Sequence, residues 1–308
     1  MIGVDAGGTK LAAGVVDEGL KVHHRVHRLW RTADRQVVLD TFVEAVEEAL
    51  SAEPEADAIA FGIPALMDSG GGVARACVHL PLEGLPFRDL MSERFAQRVV
   101  VDNDANCALL AEARAGAAKG ARNALLLTLG TGIGGGVLAD GRVYRGDGSA
   151  GELGHVVVEA EGPRCGCGNK GCLEVYASGS AFAAFGVAVA KAEPMSGLGR
   201  ALSEGRSITG AVVTELAGEG DAAAQQVIAD AGRMLGVGLA SLCNAFNPEL
   251  VVIGGGAGAA AGELLLAPAR EELARRALGP NRAVPVVAAH FGDEAGMLGA
   301  AMMAIESG

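Results

Sequence analysis

Asp5-Ala6-Gly7-Gly8-Thr9-Lys10-Leu11-Ala12-Ala13-Gly14-Val15-Val16 joins the end of an apolar run, Ile2 to Asp5, to a second apolar run through a Gly-Gly-Thr-Lys turn. The pattern predicts strand, tight turn and strand. It returns in Leu127-Thr128-Leu129-Gly130-Thr131-Gly132-Ile133-Gly134-Gly135-Gly136-Val137-Leu138, where Gly8, Thr9, Gly14 and Val15 fall at one fixed offset on Gly130, Thr131, Gly136 and Val137. An internal match of this kind points to duplication. Two related halves would then face each other across a cleft, a favoured place for ligands.

Working outward from the turns, a helix is predicted over Val37 to Leu50, and buried strands over Ala58 to Gly62 and Arg98 to Val101. The second strand runs into Asp102-Asn103-Asp104 and a helix from Ala105 to about Ala118. Beyond the second turn, Thr209 to Phe246 reads as mostly helical. Leu250 to Ile253 is a strand ending in Gly254-Gly255-Gly256-Ala257-Gly258, a helix resumes near Glu263, Ala283 to Ala289 is a last strand and Ala295 to Glu306 a last helix. Repeated strand and helix define an α/β fold. The boundary is expected between Gly116 and Arg122, giving a smaller lobe over 1–117 and a larger one over 118–294, with the helix 295–308 packing back on the first.

The 308 residues are half hydrophobic and one-fifth charged, enough to bury a large core. The 25 basic against 37 acidic residues give a net charge of −12, which repels polyanions and argues against nucleic acid as a partner. An anionic ligand must therefore be held locally by backbone N–H groups, a side-chain cation or a metal. No basic segment leading into an apolar one opens the sequence, which reads as cytoplasmic. The most apolar stretches, Ala124 to Ala139 and Leu250 to Gly262, are interrupted by glycines and too short to span a bilayer.

Glycine turns bring backbone N–H groups close to phosphate oxygens, and Thr adds a hydroxyl donor. Either turn alone is ordinary hairpin chemistry; the matched pair suits a clasp on one triphosphate. Asp5, the acid before the first turn, could hold Mg²⁺ through water or simply cap the turn. Gly130 to Gly135 fits G-x-G-x-x-G, but it leads into a strand where a dinucleotide fingerprint needs a helix. Gly254 to Ala259 does sit between strand and helix, yet the next strand ends in Ala288-Ala289-His290, without an acid for a ribose. No G-x-x-x-x-G-K-[ST] occurs.

Ala160 to Lys170 lacks periodicity and needs something other than a core to hold it. Cys165-Gly-Cys167-Gly-Asn-Lys-Gly-Cys172, with His155 upstream, offers three thiolates and an imidazole, the ligand set of a closed, structural zinc site. Cys77, Cys107 and Cys243 lie in apolar surroundings and read as buried thiols. Glu152 and Glu174 flank the cysteine loop, where a metal would fix them as acceptors for a polyhydroxylated ligand. Asp102-Asn103-Asp104 stands where strand becomes helix; capping needs one of the three. Phosphoryl transfer needs a carboxylate to take the proton of an attacking hydroxyl, and Asp104 suits that task.

With Gly151-Glu152-Leu153-Gly154-His155 and Cys165-Gly166-Cys167-Gly168-Asn169-Lys170-Gly171-Cys172-Leu173-Glu174 in view, the chain resembles the ROK family along nearly its whole length. Those bacterial sugar kinases share the actin-like, hexokinase-type ATPase fold with related transcriptional repressors. The resemblance implies Asp104 as catalytic base and Gly62, Asn103, Asp104, Glu152, His155 and Glu174 at the sugar. It implies His155, Cys165, Cys167 and Cys172 as zinc ligands. For MgATP it implies the turns at Gly7, Gly8, Thr9 and Lys10, at Gly130, Thr131, Gly132 and Gly134, and at Gly254, Gly255 and Gly256. A homodimer or homotetramer is implied as well. Two positions depart from the family pattern near the sugar: Ala65 replaces a second Gly, and His79 an Asn. Glucose is the favoured acceptor, with N-acetylglucosamine, N-acetylmannosamine and fructose as alternatives. A sugar-responsive repressor is disfavoured, because Asp5 follows the first residue too closely for a preceding winged helix-turn-helix.

Overall fold

The computed structural model describes residues 1–8, 10–30, 34–77 and 80–307, so Thr9 and His79 lie outside the described residues. Its strands are β1 (Ile2–Ala6), β2 (Lys10–Val16), β3 (Val22–Leu29), β4 (Ala58–Ile63), β5 (Leu66–Met67), β6 (Ala74–Ala76) and β7 (Arg98–Asn103), then β8 (Ala124–Leu129), β9 (Ile133–Ala139), β10 (Arg142–Val143), β11 (Leu250–Gly254) and β12 (Val286–Ala288). One sheet has the order β3-β2-β1-β4-β7 and another β10-β9-β8-β11-β12, while β5 and β6 form a short ribbon. Matching β1, β2, β3, β4 and β7 with β8, β9, β10, β11 and β12 gives the same order twice. The internal match in sequence is thus a repeat of topology.

In the first sheet β1 pairs antiparallel with β2 and parallel with β4, and β4 parallel with β7. In the second, β11 runs parallel to both β8 and β12. The parallel strands are near-continuous apolar runs, as strands covered on both faces require. The chain divides into two compact units: Met1–Gly120 with Gly136–Gly151 and Asp293–Gly308, and Ala121–Gly135 with Glu152–Gly292.

In the first unit, alternation along β1 sends Ile2, Val4 and Ala6 into a core with Val38, Phe42 and Val46 of the helix Arg35–Ala52. Phe42, Phe61 and Phe87 meet edge to face there, with centroids 5.1–6.0 Å apart. Gly3, on the other face of β1, lies under the helix Ala295–Glu306: a Cβ would stand 2.2 Å from the Met297 carbonyl oxygen. The last helix therefore packs on the first strand.

The second unit is built around the helix Ala222–Phe246, capped by the Asp221 carboxylate and packed on the helix Glu263–Arg276. Cβ atoms at Gly232 and Gly236 would come within 2.4 and 2.5 Å of the Leu265 and Ala269 carbonyl oxygens, so glycine lets these helices approach closely. Among the described residues no helix is long and apolar enough to cross a membrane.

Several elements differ from the sequence expectation. The last strand shortens to Val286–Ala288, because Gly279–Ala283 forms a 3₁₀ turn around Pro280. The helical stretch Thr209 to Phe246 breaks into Gly210–Gly218 and Ala222–Phe246, since Gly220 takes a φ of 95°. Strand β3 carried no apolar alternation: in Val-His-His-Arg-Val-His-Arg-Leu only Val26 is buried. It is an edge strand, and charged side chains suit an edge exposed to solvent.

Candidate active site

In the first unit, the carboxyl ends of β1, β4 and β7 gather Asp5, Gly62, Asn103 and Asp104. Register places Gly62 beside Asp5 on one side and Asp102 on the other. A Cβ on Gly62 would lie 3.3 Å from the Asp104 Cα and 3.2 Å from the Cys107 Sγ, so the glycine admits the helix Asp104–Ala115 close to the sheet. Asn103 is the cap of that helix: its Oδ1 accepts the N–H groups of Ala105 at 2.9 Å and Asn106 at 3.2 Å, and its Nδ2 donates to the Ala65 carbonyl oxygen at 3.3 Å. Asp104 occupies the first helical position, where its Oδ1 accepts the Ala105 N–H at 2.9 Å.

Burial pushes the Asp5 carboxyl from 3.8 up to about 7, aided by the charge of Asp104 and opposed by that of Lys10. The last helix adds to this enclosure, since a Cβ on Gly296 would stand 2.4 Å from the Asp5 carboxylate. Two acids thus sense one another on one side of the sheet. The neighbouring turn is closed by the Gly7 N–H donating to the Lys10 carbonyl at 2.9 Å, and the Lys10 Nζ meets Asp293 at 2.7 Å. Gly8 lies in that turn; Thr9 is outside the described residues.

In the second unit, the Gly130 N–H donates to the Gly132 carbonyl at 2.9 Å, and the Gly130 carbonyl accepts the Gly179 N–H at 2.8 Å. Thr131 is exposed in this turn, and Gly134 follows on β9. Gly254 ends β11; Gly255, with φ 80° and a position where a Cβ would stand 2.4 Å from the Leu129 carbonyl oxygen, turns the chain into a helix beginning at Gly256. Only glycine fits that position.

The same unit holds the cysteine loop. One ligand atom each from His155, Cys165, Cys167 and Cys172 lies within 4.8 Å of the others. Cys167 Sγ stands 3.7 Å from Cys172 Sγ, and Cys165 Sγ 3.7 Å from His155 Nδ1. Zinc–sulfur bonds of about 2.3 Å in a tetrahedron demand edges of roughly 3.8 Å. The donor set therefore fits zinc in number, type and spacing. The Asn169 backbone N–H helps hold the Cys167 thiol below its ordinary value, toward the thiolate a metal needs.

Glu152 and Glu174 stand on this framework. The His155 Nε2, on the far side of the ring from Nδ1, lies 3.9 Å from the Glu152 carboxylate. Glu174 begins a short helix, and its Oε2 accepts the Ile133 N–H at 2.9 Å, tying the loop to the start of β9 just after the second glycine turn. Burial raises the Glu152 carboxyl, while the charge of His155 opposes the shift. Each unit thus brings its own sequence-predicted residues together. Sequence reasoning missed Arg145 and Asn106, which surround Asp102; no motif marks them, because their pairing exists only after folding.

This paired-sheet architecture is the actin-like, hexokinase-type ATPase fold. A solved ROK glucokinase from Streptomyces griseus, in complex with glucose and AMPPNP, superposes with a TM-score of 0.90 at 34% identity, covering 99% of both chains. Glucokinase from Streptomyces coelicolor is 35% identical over 99% of this chain and 97% of its own, and glucokinase from Thermotoga maritima 35% identical over 98% and 96%. The ROK family model matches residues 1–307. The chain belongs to the ROK family.

Proposed function

We propose that the chain is a hexose kinase that transfers the γ-phosphoryl group of MgATP to the 6-hydroxyl of glucose. The observation that carries this reading is the division of labour at residues 103 and 104. Asn103 supplies the helix cap, so Asp104 is not required for it, and its carboxylate sits at a helix start that Gly62, lacking a side chain, lets close to the sheet. Full-length relatives named glucokinase support the same reaction and the same sugar.

In this reading Asp104 accepts the proton of the sugar 6-hydroxyl as its oxygen bonds to the γ-phosphorus and the bond to the β-phosphate oxygen breaks, releasing ADP. Asn103 offers its amide N–H, and Glu152, His155 and Glu174 accept or donate to the remaining hydroxyls. Gly62 lets the helix that carries Asp104 approach the sheet at the sugar. The turns at Gly7, Gly8, Thr9 and Lys10, at Gly130, Thr131, Gly132 and Gly134, and at Gly254, Gly255 and Gly256 border the nucleotide; the Gly7 and Gly130 N–H groups close their own turns, and the phosphates take N–H donors from the other positions. Mg²⁺, when bound near Asp5, supplies positive charge to the phosphates. Zinc, held by His155, Cys165, Cys167 and Cys172, supplies a cross-link that orders the loop between Glu152 and Glu174.

ADP release across glucose, mannose, fructose, N-acetylglucosamine and N-acetylmannosamine tests the sugar. We expect glucose to give the highest kcat/KM. Asp104→Asn should lower kcat by at least about 100-fold while glucose still binds; full turnover by that variant sinks the assignment of the base.

A further inference from the structure

Asp102 is 4% exposed yet carries a carboxylate. Its Oδ2 accepts from Arg145 Nε at 2.7 Å and meets Arg145 Nη2 at 2.6 Å. Its Oδ1 accepts the Asn103 N–H at 2.8 Å and the Asn106 Nδ2 at 3.0 Å. Both oxygens are occupied, and the two groups held by Oδ1 belong to the residue before Asp104 and to the residue two positions after it in the helix. A buried charge is tolerated when it is paired and hydrogen-bonded in this way, and it then fixes whatever donates to it.

Arg145, half-exposed, is tied on its other side as well. Its Nη1 donates to the Val143 carbonyl at 3.2 Å. Its own carbonyl accepts the N–H groups of Gly148 at 2.8 Å and Ala150 at 3.1 Å, and Ser149 donates to the Met67 carbonyl at 3.0 Å. The arm 145–150 is therefore folded around Arg145, and along the chain it leads directly into Gly151 and Glu152. One guanidinium stands at the root of both the Asn103-Asp104 turn and the segment that enters the second carboxylate motif.

We propose that Arg145 is a positioning residue for phosphoryl transfer: through Asp102 it sets the angle at which the Asn103-Asp104 turn presents the Asp104 carboxylate. The inference rests on Asp104 being the base. A misplaced base still permits binding but lowers the frequency of productive proton transfer, so the effect belongs in kcat. Arg145→Met should lower kcat for glucose by on the order of 10- to 100-fold, with KM for glucose and for ATP changed less than about threefold. Arg145→Lys, which restores the charge but not the paired N–H donors, should recover part of the loss. Amide hydrogen exchange at Asn103 and Asn106 should accelerate in Arg145→Met and return toward the parent rate in Arg145→Lys.

If Arg145→Met does not fold, Asp102→Asn combined with Arg145→Met leaves no unpaired buried charge and is read in the same way. Parent-like kcat, a rise in both KM values in step with the loss of kcat, or unchanged exchange at Asn103 overturns the proposal. The exchange measurement also separates the two readings. A parent protein without hexokinase activity defeats the proposed function, whereas the clamp on the turn is still judged by exchange.

Discussion

Asp5 shows how much a single side chain depends on its neighbours. In sequence it is one acid after an apolar strand, with turn capping as a sufficient role. In the folded first unit it lies under Gly296 and senses the charge of Asp104, and its carboxyl rises from 3.8 to about 7. A carboxyl whose folded value is raised contributes most to stability below its unfolded value, and that contribution is lost as pH climbs through the folded value. In metal-free, nucleotide-free buffer the stability should therefore fall between about pH 4 and pH 7, by on the order of 2–4 kcal/mol. Asp5→Asn should flatten this part of the profile. Chemical denaturation at stepped pH checks it, and an unchanged slope in the variant removes the burial account. Asn103 and Asp104 make the companion point: their adjacency was legible, but which of them caps the helix was settled by hydrogen-bond geometry.

Among the elements, the cysteine loop was the most legible. A metal site needs particular atoms at short spacing, so the grouping of Cys165, Cys167 and Cys172 is visible before any fold is known, and the fold brings it together with His155. The loop is held by backbone bonds, such as Gly171 donating to the Pro163 carbonyl and Cys165 to the Asn169 carbonyl, both at 2.8 Å, while most of its side chains between 160 and 170 are exposed. Cys167 is exposed, so Cys167→Ser sacrifices almost no packing and reports on metal alone. We expect that variant to retain less zinc, to be cut faster by protease within 160–172, and to bind glucose more weakly because Glu152 and Glu174 lose their tether. Metal analysis with limited proteolysis measures both, and a parent-like variant would count against the structural role. Strand β3 was illegible for the opposite reason. An edge strand rich in His and Arg has no apolar period to read, and its place is decided by pairing with β2.

At the scale of the whole molecule, the ends of the chain meet in the first unit. The helix Ala295–Glu306 packs on β1 and on the helix Asp104–Ala115, where a Cβ at Gly299 would stand 1.7 Å from the Cys107 carbonyl oxygen. Gly299→Ala must push the helices apart and should destabilise the protein by about 1–3 kcal/mol, disturbing the start of the helix that carries Asp104. Thermal unfolding and activity, measured together, check this; an unaltered midpoint would show that the helices shift freely.

What the sequence by itself determined was whatever rests on local chemistry: the glycine turns and their repetition, the close spacing of the three cysteines, the apolar strands and the carboxylates beside them. Periodicity and residue type carry that information because neighbours in the chain create it. Tertiary structure alone decided the rest. It joined Arg145 to Asp102, brought Gly296 and Gly299 against Asp5 and Cys107, and assigned capping to Asn103. Those contacts arise between distant parts of the chain, where burial and close approach set both charge and orientation.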